Sequence, residues 1–390
     1  MEIVCFSHLR WDFVFQRPQH LLTRFADHFR IFYVEEALFH SEDDHYSEVI
    51  HNNIHIIKLH LIGDPHASDV VQRQQKLVQA FFHKLKINEY ILWYYTPMAL
   101  QITEGLKPVV TVFDCMDELS AFKFAPPALK QLEKELLNTA DVVFTGGHSL
   151  YEAKKHQHHN IHAFPSSIDK KHFITARHIK QDPADQAGIP HPRFGFYGVL
   201  DERFDIELIR QAADKRPDWQ FVLIGPVVKI DPETLPKNKN IHYLGGKKYA
   251  ELPSYLSGWD ISMVSFALND STKYISPTKT PEYLAGGKPV ISTRIKDVVD
   301  GYGKHGLVHI VNNADEFVEV AEKELATEDK RKWLQQVDKH LANCSWDITV
   351  NQMRELIYKA IAEKQILAQK KKEKYATPYL LVKPTLPAAS

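Results

Sequence analysis

SPTKTPEYLAGGKPV, residues 276–290, lies between two apolar runs that read as strands, and its punctuation is that of a short helix feeding a buried strand. Pro277 and Pro281 suit the entry of a helix, Thr278 or Thr280 can cap it, and Gly286 and Gly287 end it before the strand that begins at Pro289. Only five or six helical residues remain. Their amides lack intrahelical acceptors, and together with the helix dipole they favour an anion such as a diphosphate. Lys279 adds a mobile cation there, and Glu282, one turn in, is placed to accept both hydroxyls of a ribose. The same two residues also read as an i,i+3 ion pair on a solvated helix.

Outward from this segment, short apolar runs alternate with longer amphipathic stretches, the pattern of parallel strands joined by helical crossovers. Before it, strands are expected near Arg193–Tyr197, Trp219–Ile224, Ile241–Leu244 and Asp260–Ser265, and after it near Pro289–Ser292 and Leu307–Val311. The first half repeats the pattern, with strands near Glu2–Ser7, Arg30–Glu35, Ile54–Leu59, Tyr90–Tyr95, Val109–Asp114, Asp141–Gly146 and Asn160–Pro165. The expected class is α/β, with two doubly wound Rossmann-like domains, 1–175 and 193–345, facing a central cleft. Residues 176–192 mix proline, glycine and charge without periodicity and read as the linker. No strand follows the helix at 346–364, which is expected to return toward the first domain, and 365–390 is a basic, then proline-containing tail.

Lys plus Arg number 48 against 49 Asp plus Glu, so there is no global field for nucleic acid. With 44% hydrophobic and 25% charged residues, the chain is neither disordered nor membrane-spanning in composition. Cys5, Cys115 and Cys344 are too few and too scattered for a disulfide framework. The start MEIVCFS has no features of an export signal, so a cytoplasmic setting is expected. The tail KQILAQKKKEK, Lys364–Lys374, is either a solvated helix end or a peripheral contact with the inner membrane face.

PTKTPEYLAGGKPVIST resembles the nucleotide-sugar motif of retaining GT-B glycosyltransferases of the group 1 type, matching through Lys279, Glu282, Leu284, Ala285, Gly287, Pro289, Val290 and Ile291. Supporting marks follow in order. YGVLDERFD, 197–205, looks like the first strand-to-helix loop of the nucleotide domain, LPSYLSGWDISMVSF, 252–266, like the unit before the donor helix, and SWDITVNQM, 345–353, like the start of the returning helix. FSHLRWDFVFQRPQHLLTRFA, 6–26, and VFDCMDELSAF, 112–122, look like the narrower TuaH-type group of bacterial surface-polysaccharide enzymes. The resemblance implies a nucleoside-diphosphate sugar donor, with UDP the expected nucleotide, and a glycan or lipid-linked acceptor. It puts Arg203, Lys279, Thr278, Thr280 and Gly198 at the donor diphosphate and Glu282 at the ribose. It also implies front-face transfer with retention. Three positions depart from the pattern: Tyr274 replaces a common glutamate, Phe204-Asp205-Ile206 lack the lysine that often follows the arginine, and Tyr95 replaces a histidine.

The last departure makes Asp114, with Asp117 and Tyr95, the polar candidates for the reacting centre, although Asp114 also reads as a loop cap. In the loop HLRWDFVFQRP, Trp11 offers a stacking face and Arg10, Asp12, Gln16 and Arg17 offer hydrogen bonds to an acceptor sugar; a loop packed on its own domain is the other reading. His156, His158 and His159 read as surface residues before metal ligands. The dinucleotide glycine fingerprint is missing, since Gly195 and Gly198 have the wrong spacing, and neither a required metal nor another cofactor is expected. A sugar-nucleotide epimerase or hydrolase of this fold, or a non-catalytic subunit of a polysaccharide-assembly complex, are the rival readings.

Overall fold

The computed structural model describes residues 1–376. The first domain is built on eight strands: β1 (Glu2–Ser7), β2 (Arg30–Glu35), β3 (His45–His51), β4 (Ile54–His60), β5 (Tyr90–Tyr94), β6 (Val110–Cys115), β7 (Val142–Thr145) and β8 (Ile161–Ala163). Their order is β3-β4-β2-β1-β5-β6-β7-β8, parallel except where β3 runs antiparallel to β4. The inner strands are continuous apolar runs because both faces are covered. On one face Val4, Phe6 and Phe113 pack with Phe81 and Leu136 from crossover helices. On the other, Ile3, Cys5 and Trp93 meet Phe25 and also Trp346, Met353 and Ile357 of the final helix, Trp346–Ala376.

The second sheet holds β9 (Arg193–Tyr197), β10 (Gln220–Ile224), β11 (Ile241–Tyr243), β12 (Ile261–Val264), β13 (Val290–Thr293) and β14 (His309–Val311) in the order β11-β10-β9-β12-β13-β14. In each sheet the strand order reverses about one strand, β1 in the first and β9 in the second. Crevices therefore open beyond the carboxyl ends of β1 and β5, and of β9 and β12, where ligands bind in doubly wound folds.

The α/β reading and the strand-helix alternation hold, with three differences. β3 was not expected, because HYSEVIH alternates weakly and lies half exposed at a sheet edge. Residues 176–192 are no free linker. Ile168, Phe173, Ala176 and Ile189 belong to the second domain's core, and Arg193 pairs with Asp182 at 2.6 Å. Phe173 and Ala176 sit in single-turn helices and Ile168 and Ile189 in coil, segments too short to leave a period to read. The final helix runs past 364 to Ala376, making 365–376 of the expected tail helical, while 377–390 lie outside the described residues. Lys364 pairs with Asp141, which precedes β7, so the helix passes the amino ends of the strands, away from the cleft. Among the described residues no helix is long and apolar enough to cross a membrane.

Candidate functional site

A cleft of about 600 Å³ opens between the domains at the two crevices. On the second-domain side the chain leaves β9 through Gly198 at φ +144°, its N–H bonded to the Ile224 carbonyl at 2.8 Å. A Cβ there would lie 2.3 Å from Lys279 Cε, so the glycine is what lets the lysine cross the turn. Lys279 Nζ sits over the Phe196 and Phe266 rings, 5.5 and 5.4 Å from their centres. Burial and the neighbouring Arg203 charge pull its pKa down, which leaves a cation that an incoming anion would stabilise.

The helix that carries Lys279 and Glu282 spans Lys279–Ala285 and ends at Gly286, with Gly287 at φ +77°. Glu282 is 3% exposed, and burial raises its pKa. One of its oxygens, Oε2, accepts a 2.7 Å hydrogen bond from the Tyr197 hydroxyl. Sequence reading missed Tyr197, which is 85 residues away and enters as an ordinary strand residue. Ser276, Pro277 and Thr278 line the cleft, but Thr280 does not: it is fully buried, its hydroxyl has no partner, and it faces the core rather than a phosphate. Arg203 lines the cleft with its guanidinium held by Asp201 at 2.7–3.1 Å and resting 5.1 Å from the centre of the Phe122 ring.

The first-domain side is formed by the loop after β1. Tyr33 donates to the Leu9 carbonyl, Trp11 N–H to Glu35, and Gln19 Nε2 to the Trp11 carbonyl, so the loop is rigidly held. Trp11, Asp12, Gln16 and Arg17 line the cleft. Arg10 does not: it turns to the Glu35 carboxylate and the Glu36 carbonyl. Arg17 is also the first residue of the helix Arg17–Phe25 and is only 4% exposed. Its guanidinium grips Asp114 through three hydrogen bonds of 2.9–3.1 Å and donates to the Phe164 carbonyl at 2.8 Å.

That grip corrects two expectations for the reacting centre. Asp114 is wholly buried and does not line the cleft; its carboxylate is committed to Arg17. Tyr95 is equally buried beside Asp114, and burial raises its pKa far above the ordinary range. Asp117 is the candidate left facing the cleft. Burial pushes its carboxyl up to about 6, against the downward pull of Arg203, Arg17 and Lys279, so charges from both domains reach it. Tyr274 packs against the first domain's core rather than lining the cleft. His158 is held by the Ala140 carbonyl and the Asn160 N–H.

Contacts between the domains set the cleft's shape. Ser166 N–H donates to Ser276 Oγ at 3.3 Å, and the Asp297 carboxylate accepts the His148 and Ser149 N–H groups at 2.9 Å. Phe15 stacks on Tyr249 at 4.4 Å, and His20 meets the same ring edge-on at 5.2 Å. Burial lowers the His20 pKa to about 3, so this aromatic seam is uncharged at neutral pH.

Residues 191–327, which take in most of the second domain and its helix Lys279–Ala285, match the family described as Glycosyl transferases group 1. Across the described residues the chain has the two-domain GT-B fold. It superposes on a trehalose-6-phosphate structure from E. coli bound with UDP-2-fluoro glucose (TM-score 0.67, 13% identity, 93% of this chain and 99% of that one). It also superposes on sucrose-phosphate synthase from Thermosynechococcus elongatus (TM-score 0.65, 15% identity, 97% and 100%) and on Anabaena HepE in complex with UDP (0.64, 13%, 92% and 100%). In sequence it is 23% identical over 220 residues to the Bacillus subtilis protein described as putative teichuronic acid biosynthesis glycosyltransferase TuaH. That match spans 52% of this chain and about half, 55%, of the relative.

Proposed function

We propose that the chain transfers a sugar from a nucleoside diphosphate, UDP in our reading, to a glycan or lipid-linked acceptor in cell-surface polysaccharide synthesis at the cytoplasmic side of the membrane. The observation that carries this is the convergence of Arg203, Lys279 and the Gly198 turn, with Glu282 one helical turn away, in a cleft shared by both domains. Arg203 and Lys279 would stabilise the charge that grows on the departing diphosphate, more strongly in the transition state than in the ground state. Glu282, oriented by Tyr197, would hold the ribose.

Retention would follow if the acceptor hydroxyl attacks from the face the phosphate leaves and gives its proton to the departing phosphate oxygen. Asp117 is the group we place beside that hydroxyl, while Asp114 acts only by fixing Arg17. Two protein cations supply the neutralisation that a metal supplies elsewhere, so activity should survive chelation. The test is a thermal-shift panel of nucleoside diphosphates followed by transfer into membrane and glycan extracts in EDTA. A ligand at 100 times its dissociation constant adds roughly 2.7 kcal/mol of stability. No shift with any diphosphate would overturn the reading, and loss of transfer in EDTA, restored by magnesium or manganese, would overturn its metal-free form.

A further inference from the structure

The two walls of the cleft carry opposite charge. The second domain contributes Arg203, which Asp201 shares, and Lys248 and Lys279, the cations that a diphosphate would occupy, against one lining carboxylate, Glu282. Lys247 also lines this wall, but its charge is met by Asp185 at 2.6 Å. The first domain contributes one cation, Arg17, and Asp114 already matches it. Two carboxylates, Asp12, which is exposed, and Asp117, which is half-buried, therefore set the charge of the first wall. Arg10, the nearest other cation of this loop, is taken by Glu35.

Trp11, Phe13 and Phe15 add aromatic surface to the same wall. Trp11 is half-buried and packed edge-on against Tyr33 with ring centres 4.9 Å apart, which fixes its orientation. Phe13, 49% exposed, extends the apolar surface toward the mouth. Ring faces beside carboxylate and amide acceptors suit the C–H faces and hydroxyls of a sugar. They do not suit an anion, which would meet Asp12 and Asp117 with no free countercharge on that wall.

We propose that the sugar at the receiving end of the acceptor is uncharged, and that Asp12 and Asp117 discriminate against uronate- or phosphate-bearing termini. The proposal rests on the donor reading above, because a bound diphosphate is what occupies the opposite wall's cations. Asp12 is the specificity residue, and Trp11 is the platform.

The experiment is a saturation-transfer NMR titration of the full chain loaded with UDP. Methyl glycosides of glucose, galactose and mannose are compared with the matching methyl uronates. At least one neutral glycoside should bind, about tenfold or more tighter than its uronate, and Asp12→Lys should narrow that ratio to within about threefold. Trp11→Ala should weaken both members of the pair. Uronates binding as well as neutral glycosides would overturn the proposal. So would UDP binding with no neutral glycoside detected, or an Asp12→Lys protein with an unchanged ratio. If UDP itself does not bind, it is the donor reading that fails, and this proposal fails with it.

Discussion

Each domain holds an arginine clamped by an aspartate at the carboxyl end of its sheet, and the two pairs differ in what they leave free. Arg17 and Asp114, 97 residues apart, are 5% and 0% exposed, and Arg17's other contact is the Phe164 carbonyl. Arg203 and Asp201, two residues apart, are 22% and 5% exposed, and the guanidinium lies over Phe122 at the cleft. The long-range pair joins a helix start, a sheet end and the crossover near Phe164, so it serves the fold. The local pair lies on one loop and reaches the other domain only by resting on the Phe122 ring. It poses a guanidinium where an anion can share it, which is how the same chemistry becomes a site.

The largest effect expected from this contrast is on stability. Asp114→Ala leaves Arg17 charged and buried without its partner, which costs about 3–5 kcal/mol. Asp201→Ala removes a partly solvated local pair, for which about 1 kcal/mol is expected. Urea unfolding of both variants measures the difference, and equal losses would erase the distinction between a structural and a poised arginine.

Ligand binding comes next. Glu282→Gln should weaken UDP binding by roughly 1.5–3 kcal/mol, the range of a charge-assisted hydrogen bond, while Tyr197→Phe should cost about 1 kcal/mol by freeing Glu282 to turn. Calorimetric titration with UDP checks both, and an effect of Tyr197→Phe larger than that of Glu282→Gln would contradict the assigned order. Gly198→Ala should cost about 1–3 kcal/mol through its left-handed backbone and should also displace Lys279. Its signature is a reduced preference for UDP over UMP, which simple loss of stability would not produce.

How much of this was legible in the sequence follows from the range of each interaction. The helix Lys279–Ala285 could be read because its prolines, Lys279, Glu282 and closing glycines lie within one local segment, and the α/β alternation could be read from its buried strands. The Arg17–Asp114 pair could not be, since the carboxylate at a strand end looks the same whether it faces a cleft or a buried guanidinium. Tyr197, Ser166 and Asp297 gain their roles from partners 85, 110 and 149 residues away, and no local pattern marks such residues. β3 hid for a different reason: an exposed edge strand needs little apolar periodicity.

The smallest expected effect is a pH dependence. Burial raises the Asp117 carboxyl from 3.8 to about 6, so the folded protein binds more protons than the unfolded chain between those values. Its contribution is therefore lost as pH rises through that window. The wild-type urea midpoint should fall more between pH 4 and pH 6 than that of Asp117→Asn, and parallel profiles would place Asp117 in a solvated setting.

The central claim is that Arg203 and Lys279, brought together from separate segments, bind one diphosphate. A double-mutant cycle with Arg203→Ala and Lys279→Ala, read as the affinity ratio of UDP to UMP, tests it directly. Each substitution should narrow the preference for the diphosphate, and because the two cations share one anion the double variant should depart from additivity by more than about 0.5 kcal/mol. A preference for UDP over UMP that neither substitution changes would contradict the account.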